Sequence, residues 1–260
     1  MLPIADTHVH LLAGLDDGPV TLDEALAMCR MLVAEGARHA TALAHQNPDY
    51  PDNTASHLQN AATELAAALV VRQIPLSVYP TGEVMLSVNT FPEWKAGRLL
   101  TVGGHGRSLL VEMPHDLFFD VRPLAAELKS SGVRLIIAHA ERYPELIFDD
   151  ELLNQFLAAG CLIQVTAAEL ADPSSLAHER ALKNWVKRGI VHLIGSDGHN
   201  LERRPPRLRA GMQTLARWAG QSAADRIAGI WSTAILQGKP VNPPAPLPKP
   251  RNWFARLFEG

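Results

Sequence analysis

The chain has 260 residues, 47% of them hydrophobic, and its formal net charge is -3. This length suits one large domain or two small ones, and the lack of a basic excess argues against nucleic-acid binding. Two cysteines are too few for a disulfide framework, so we expect a reducing compartment. The N-terminus lacks a signal-peptide pattern and no run of about 18 apolar residues occurs, so we expect a cytoplasmic protein.

Short apolar runs alternate with helical patterns from the N-terminus onward. The predicted strands are residues 3–6, 40–44, 76–79, 109–111, 135–138, 162–165 and 191–194. The predicted helices are residues 21–35, 57–71, 121–131, 150–159 and 175–188, and the pattern is purely helical after about residue 205. Thr21 and Glu24 form a capping box at the start of the first helix. The alternation predicts parallel strands wrapped by helices, and seven runs suit a barrel or a wide doubly wound sheet.

The composition changes at Lys239, which divides the chain into a domain of residues 1–238 and a tail of residues 239–260. Six prolines between positions 240 and 250 predict an extended, semi-rigid linker. The tail ends in four large apolar residues: Trp253, Phe254, Leu257 and Phe258. It either packs back on the domain or is disordered, or it forms an amphipathic anchor for a membrane surface or a partner.

Histidines and acids follow almost every predicted strand. The first strand leads into D-x-H-x-H, whose side chains lie on one face of an extended segment, and then into a glycine-flanked turn with Asp16 and Asp17. In a parallel barrel the strand ends share one rim, where barrel enzymes keep their active sites. The candidate metal ligands on this rim are His8, His10, Asp17, His45, Glu83, Glu112, His139, Asp197 and His199.

A single histidine after a strand is more often an ordinary hydrogen-bonded residue than a ligand. We therefore interpret six other histidines as structural: His39, His57, His105, His115, His178 and His192. The repeated placement of acid or imidazole at successive strand ends is different, because such crowded carboxylates would repel one another without bound cations. Imidazole and carboxylate at this density are typical of Zn, Mn, Fe or Co sites.

The net charge of the predicted site indicates which class of substrate it binds. Nine ligands hold about three divalent ions at three or four protein bonds each, and four of the ligands are carboxylates. A surplus of about two positive charges then remains, which favours a phosphate monoester over a carbonyl substrate. Arg142 and Arg204 each follow a predicted ligand closely and are candidate catalytic residues, since arginine binds two phosphate oxygens at once. Arg203 is the rival to Arg204 and is expected to face solvent.

Other nucleophile schemes fail on inspection. Neither Cys29 nor Cys161 begins the C-x5-R loop of cysteine phosphatases. The sequence also contains no G-x-S-x-G elbow and no Walker loop. Metal-dependent hydrolysis is therefore the reaction class that the residues favour.

Four segments resemble one branch of the PHP (polymerase and histidinol phosphatase) superfamily. They are IADTHVHLLAGLDDGPVTLDEAL, LVEMP, IIAHAERYPEL and GSDGHNLERRPP, and the resemblance runs from about residue 4 to residue 240. The branch is that of the CpsB/YwqE-like bacterial manganese-dependent protein-tyrosine phosphatases from capsule and exopolysaccharide loci. Gln46 and Ala140 depart from the residues that are common in this branch, and Gln46 could alter the outer shell or the substrate lip.

The resemblance implies a distorted (β/α)7 PHP-type barrel with three divalent ions, manganese or else Fe, Co or Zn, at the carboxyl ends of the strands. The first ion would be held by His8, His10, Glu112 and Asp197; the second by Glu83, Glu112 and His139; and the third by Asp17, His45 and His199. Arg142 and Arg204 match the branch's phosphate-binding arginines. The implied substrate is phosphotyrosine on a polysaccharide-assembly tyrosine kinase, a co-polymerase.

The hypothesis that follows is hydrolysis of phosphotyrosine by a metal-bridging hydroxide, with the two arginines stabilising charge on the phosphoryl oxygens. One alternative is a phosphatase of a small phosphomonoester such as histidinol phosphate. Another is a non-catalytic, metal-stabilised scaffold that docks through its tail.

Overall fold

The computed structural model describes residues 3–114 and 117–248. It contains one parallel sheet whose seven strands follow one another in chain order. The strands are β1 (Ile4–Asp6), β2 (Ala37–Gln46), β3 (Ser77–Met85), β4 (Ser108–Glu112), β5 (Arg134–Ile137), β6 (Leu162–Thr166) and β7 (Leu193–Gly195).

Helices connect the strands and cover the outside of the sheet. They are α1 (Leu22–Glu35), α2 (Ala55–Val71), α3 (Thr90–Lys95), α4 (Arg122–Ser130), α5 (Pro144–Phe148), α6 (Asp150–Ala158), α7 (Ala167–Ala171), α8 (Leu176–Arg188), α9 (Arg209–Ala219), α10 (Gln221–Asp225) and α11 (Ser232–Leu236). A π-helical segment, Arg226–Trp231, joins the last two. Both halves of the predicted capping box are present at the start of α1. No helix in the described ranges is long and apolar enough to cross a membrane.

The sheet curls until the segments after its first and last strands meet. Thr7 N donates to Ile194 O at 3.2 Å, Asp197 N to His8 O at 2.7 Å, and His10 N to Gly198 O at 3.0 Å. These bonds continue the ladder across the seam, so the molecule is a nearly closed seven-stranded barrel. The predicted fold class is therefore confirmed.

Apolar side chains fill the barrel and leave its carboxyl-end rim to polar residues. One buried strand residue from each of six strands contributes to the interior: Ala5, Leu43, Leu110, Ile136, Leu162 and Leu193. Leu236 and Val241 close the opposite end of the same cluster. This is the packed interior expected of a barrel rather than a pore.

The third strand is much longer than predicted. The sequence indicated residues 76–79, but β3 runs to Met85, so Glu83 lies inside the strand rather than after it. Pro80 and Gly82 are unfavourable in strands and made the predicted strand too short. In the register of β3 with β2, Glu83 lies beside His45, so the longer strand carries the carboxylate to the rim.

The first part of the predicted linker packs against the barrel. Val241 is buried, and the Arg134 guanidinium donates to its carbonyl oxygen. Arg188 Nε donates to Leu247 O at 2.9 Å, and Leu247 N donates to Arg188 O at 2.9 Å. The boundary between residues 238 and 239 stays a prediction. The aromatic end of the tail, and with it the anchor hypothesis, lies outside the described residues.

Candidate metal centre

The structure brings all nine predicted ligands to one rim of the barrel. Their ligand atoms form four overlapping groups in which all atoms lie within 4.8 Å of one another. The groups are His10, Asp17, His45 and His199; His8, His10 and Asp197; His8, Glu83 and His139; and His45, Glu83 and Glu112. Side chains up to 191 positions apart in the chain therefore meet in one cluster.

The backbone is shaped to bring these side chains inward. Asp6 Oδ1 accepts from His8 N at 3.0 Å and from Ser196 N at 2.9 Å, which pins the segment after β1 to the segment after β7. His139 and Asp197 have φ angles of 31° and 55°, in the left-handed region that non-glycine residues rarely adopt. Such strain is held by the surrounding structure, and here it falls on two predicted ligands.

Glu83 lies at the middle of the cluster. Its Oε1 lies 3.2 Å from His8 Nε2 and 3.0 Å from His139 Nε2, and its Oε2 lies 3.3 Å from His10 Nε2. Glu112 instead lies 3.1 Å from His45 Nδ1 and 3.8 Å from His139 Nε2. The partition implied by the resemblance joined Glu112 to His8 and His10, whereas in this structure Glu83 occupies that position.

Several buried ligand atoms have no hydrogen-bond partner among the described residues. They are His8 Nε2, His10 Nε2, His45 Nδ1, His199 Nε2, Glu83 Oε2 and Glu112 Oε1. Buried polar atoms are normally paired, because an unpaired one carries its full desolvation cost. Imidazole nitrogens and carboxylate oxygens facing one another across short gaps fit divalent transition-metal ions, which would satisfy all six atoms.

The electrostatics of the cluster favour bound positive charge. Burial alone would lower the pKa of His10, but Asp16 and Glu83 outweigh it and raise the pKa to about 9. Burial likewise opposes the proton on His45, yet Asp17 and Glu112 raise its pKa to about 11. Burial would raise the pKa of Asp197, but His8, Arg142 and Arg204 hold that pKa well below its usual range. The carboxylates thus dominate, and cations are the counter-charge that this donor set fits.

Three residues outside the predicted site contact the imidazole rings through the Nδ1 atoms, while the Nε2 atoms face the cluster. Asp16 Oδ2 lies 2.6 Å from His10 Nδ1, Gln164 Oε1 lies 2.8 Å from His8 Nδ1, and Tyr143 Oη lies 3.2 Å from His139 Nδ1. Partners of this kind fix ring orientation and tautomer at metal sites. The sequence offered only weak indications of these residues. Asp16 is next to the predicted ligand Asp17, and Gln164 is the one polar residue in the predicted strand 162–165.

The two candidate arginines lie together at the mouth of the cluster. Both contact Asp197 Oδ2 through an Nη atom, and for Arg204 the distance is 2.7 Å. The Arg142 and Arg204 side chains are 46% and 41% exposed, so each reaches from solvent to the buried acid. Arg203 is exposed.

The remaining histidines make hydrogen bonds away from the cluster. These are His39 with Tyr79, His57 with Asp52, His105 with Leu236, His178 with Ser175, and His192 with Ile163. His115 lies outside the described residues. The side chain of Gln46 is likewise engaged elsewhere, with backbone groups of Asn53, Arg98 and Leu100, so it braces loops rather than pointing at the ligands.

Comparison with known proteins assigns this barrel to a family. The model of the family described as capsular polysaccharide synthesis, CpsB/CapC, matches residues 4–237. The chain belongs to the CpsB/CapC family. This membership confirms the predicted resemblance.

Two relatives carry names of tyrosine phosphatases, one of them as putative. The chain is 28% identical over 207 residues to the tyrosine-protein phosphatase YwqE of Bacillus subtilis, a match that covers 76% of this chain and 78% of that protein. It is 26% identical over 204 residues to the putative tyrosine-protein phosphatase CapC of Staphylococcus aureus, covering 78% and 79% of the two chains.

A solved structure shares the whole architecture. It comes from crystal structures of YwqE from Bacillus subtilis and CpsB from Streptococcus pneumoniae, described as unique metal-dependent tyrosine phosphatases. It superposes with a TM-score of 0.86 at 24% identity and covers 95% of this chain and all of that one. The likeness to this structure concerns the fold.

Proposed function

We propose that this CpsB/CapC family protein is a metal-dependent protein-tyrosine phosphatase. The observation that carries the proposal is the group of six buried ligand atoms without partners, which lies beneath two arginines at the carboxyl rim of the barrel. The names of its relatives support the same reaction. The products of the hydrolysis are a tyrosine side chain and inorganic phosphate.

We propose the nine side chains as ligands of three divalent ions, with manganese as the first candidate. The geometry supports Glu83 as a shared carboxylate, because its Oε1 lies near His8 Nε2 and His139 Nε2 and its Oε2 lies near His10 Nε2. Asp17, His45 and His199 form the third group, and His45 and His199 each have Nε2 within 3.4 Å of an Asp17 oxygen.

Divalent ions held by these nine side chains would supply positive charge for the phosphoryl oxygens and would lower the pKa of water toward about 7, so that a hydroxide nucleophile is available at neutral pH. Arg142 and Arg204 then bind the equatorial phosphoryl oxygens, where charge spreads in the transition state. Their shared contact with Asp197 orients both guanidinium groups before substrate enters. A phenolate is a fairly good leaving group, so a proton from solvent is sufficient.

The physiological substrate that we propose is a phosphotyrosine protein of polysaccharide assembly, namely the co-polymerase tyrosine kinase. Support comes from the family's description as capsular polysaccharide synthesis. The sequence alternative of a non-catalytic scaffold is disfavoured, since each of the nine positions carries a competent ligand. The small-metabolite alternative is addressed by direct comparison of substrates.

The test measures release of phosphate from phosphotyrosine peptides and from histidinol phosphate, with Mn²⁺ and after chelation. We expect phosphotyrosine to be preferred and turnover to stop on chelation and return with Mn²⁺. Glu83→Gln should lose bound metal and turnover together, whereas the exposed control Glu64→Gln should retain both. Turnover that resists complete metal removal would refute the proposed function.

A further inference from the structure

A cavity with several apolar lining residues opens directly beside the predicted ligands Glu112 and His139. Its volume is about 300 Å³. Besides those two ligands and Arg142, it is lined by Met113, Pro114, Leu117, Phe118, Tyr143, Pro144 and Glu145. The cavity is thus continuous with the cluster and shares one of the two phosphate-binding arginines.

The walls of this cavity are firmly held, and one side chain at its edge is largely exposed. Phe118 stacks on the buried Phe156, with ring centroids 6.0 Å apart and planes 12° apart. Met113 is buried, and its N donates to Tyr143 Oη at 3.0 Å. Leu117, by contrast, is 62% exposed at the edge of the same cavity. Leu117 is therefore an apolar side chain at the edge of this cavity that a ligand can contact.

We propose that this cavity, the aryl subsite, binds the aromatic ring of the phosphotyrosine substrate, with Leu117 as a determinant of the preference for aryl over alkyl phosphates. The inference rests on the proposed phosphatase function and adds the location of the leaving group. An apolar cavity of about 150 Å³ is enough for benzene, so the aryl subsite accommodates one ring and the start of the peptide backbone.

The depth of the cluster gives a physical reason for such a subsite. Glu112 and His139 are 7% and 5% exposed, whereas Arg142 stands 46% exposed at the rim. In phosphoserine the phosphate oxygen is bonded directly to Cβ, so a phosphoryl group at the cluster would press the substrate backbone against that rim. The ring of phosphotyrosine spans this depth and buries apolar surface on the way.

A second groove lies on the other side of the cluster and is the competing location for the ring. Its volume is about 480 Å³ and Tyr50 is one of its lining residues, but none of the nine predicted ligands lines it. Tyr50 is instead stacked on the ring of His45, with centroids 5.9 Å apart. Arg142 lines the aryl subsite and not this groove, so the ring attached to a phosphate bound by Arg142 enters the aryl subsite.

The experiment compares two non-hydrolysable probes, phenylphosphonate and methylphosphonate, by calorimetric binding to the Mn²⁺-loaded full chain, together with turnover of a phosphotyrosine peptide. We expect the wild type to bind phenylphosphonate more tightly. In Leu117→Asn this preference should shrink by about five- to tenfold, as expected from losing much of one leucine's apolar contact, and the KM for the peptide should rise. Leu117→Met should keep the preference, because it conserves an apolar surface of similar volume.

The matched control is Leu176→Asn, which changes a leucine that is 71% exposed at the start of α8. It should leave the phosphonate preference and the peptide KM at their wild-type values. A wild-type preference in Leu117→Asn, or its loss in Tyr50→Ala instead, would overturn the aryl subsite while leaving phosphatase activity in place. A wild type that hydrolyses no phosphotyrosine peptide with Mn²⁺ would instead overturn the proposed function, and the subsite with it.

Discussion

Hydrogen bonds to the Nδ1 atoms of the ligand histidines fix the orientation of the imidazole rings at the metal site. His10, His8 and His139 each use one ring nitrogen for a polar partner and direct the other into the cluster. Asp16 holds more than one element, because it also accepts from His45 N at 3.0 Å and from Gly18 N at 2.9 Å. The rings are therefore oriented before any cation binds, which reduces the entropy that binding has to overcome.

Tyr143→Phe tests this orientation at a single oxygen. The hydroxyl accepts from Met113 N and contacts His139 Nδ1, so its removal leaves the buried amide unpaired and allows the imidazole to rotate. We expect the affinity for Mn²⁺ to fall about 10–100-fold, in the range seen when outer partners of metal ligands are removed. Metal titration of the purified apo-protein measures this change.

A control for Tyr143→Phe is the same tyrosine-to-phenylalanine substitution at a position away from the cluster. Tyr79 Oη lies 3.1 Å from His39 Nδ1, so Tyr79→Phe removes a comparable tyrosine–histidine contact. It should bind Mn²⁺ like the wild type. Equal affinities for all three proteins would contradict an orienting role for Tyr143.

For individual residues, the sequence was sufficient to predict the side chains that come together in the cluster. It was not sufficient to predict the residues that form hydrogen bonds to those side chains. Histidine or carboxylate at the end of a strand is a local pattern, and His8 and His139 could be selected from it. Gln164 could not, because its contact with His8 joins positions 156 apart and exists only once the closed barrel brings β6 near the segment after β1. Asp16 adjoins a selected residue, yet only the turn geometry tells which of the two acids binds His10.

Among the elements, β3 depends on a close approach that only glycine permits. A Cβ on Gly82 would lie 2.1 Å from Gln46 Oε1 and 2.8 Å from its Cδ. The Gln46 side chain cannot easily move aside, since it donates to Asn53 O and Arg98 O and accepts from Leu100 N. We expect Gly82→Ala to lower the free energy of unfolding by about 2–3 kcal/mol, the value of two or three such bonds.

A double-mutant cycle identifies the cause of that loss. Gln46→Ala removes the obstacle, so Gly82→Ala added to it should cost far less than it does in the wild type. Urea unfolding of the four proteins gives the coupling free energy. Additive effects would mean that the crossing of Gln46 over Gly82 is not the source of the instability.

A buried histidine between β6 and β7 makes stability depend on pH. His192 Nδ1 accepts from Ile163 N at 3.0 Å, and burial, with Arg134 nearby, lowers the pKa of His192 to about 3. Between about pH 6.5 and 3 the unfolded chain binds a proton here and the folded protein does not, so stability falls as the pH falls. From pH 6.5 to 5 we expect a loss of about 2 kcal/mol from this residue.

His192→Asn removes the titrating group and keeps an acceptor for Ile163 N. The experiment compares how steeply the free energy of unfolding changes with pH between pH 7 and 5 in the two proteins. The variant should lose less stability over this range than the wild type. Parallel slopes would show that the pKa of His192 in the folded protein is close to its value in the unfolded chain.

The elements were predicted well where one signal dominates. The start of α1 follows from its capping box, and the buried runs predicted six of the seven strands to within a few residues. The length of β3 could not be predicted, because Pro80 and Gly82 are locally unfavourable and are retained for contacts with β2 and with Gln46. Local propensity was outweighed there by tertiary pairing.

For the whole molecule, the cluster exists because the barrel closes. Ligands on β2, β3 and β4 are neighbours within the sheet, but His8 and Asp197 meet only across the seam, where Asp197 N donates to His8 O. Alternation of strands and helices predicted the parallel order and a shared rim. It left open a barrel or a wide sheet, and only the resemblance and then the structure selected closure.

Closure around so many buried acids predicts that cations stabilise the entire fold. Ions that bind the folded chain and not the unfolded one contribute about 4 kcal/mol at a thousandfold excess over Kd. For a domain of this size that corresponds to a Tm shift of about 8–16 °C for each such site. We therefore expect complete chelation to lower the Tm by at least this amount and Mn²⁺ to restore it.

Glu83→Gln separates cation binding from other effects of the chelator. It removes the charge of the acid that contacts His8, His10 and His139, while the side-chain volume is nearly unchanged. Its Tm should respond much less to Mn²⁺ than that of the wild type, whereas Glu64→Gln on the exposed face of α2 should respond fully. Scanning calorimetry with metal analysis before each scan gives both quantities. A wild-type Tm that stays constant while bound metal is removed would mean that the cluster folds stably without its cations.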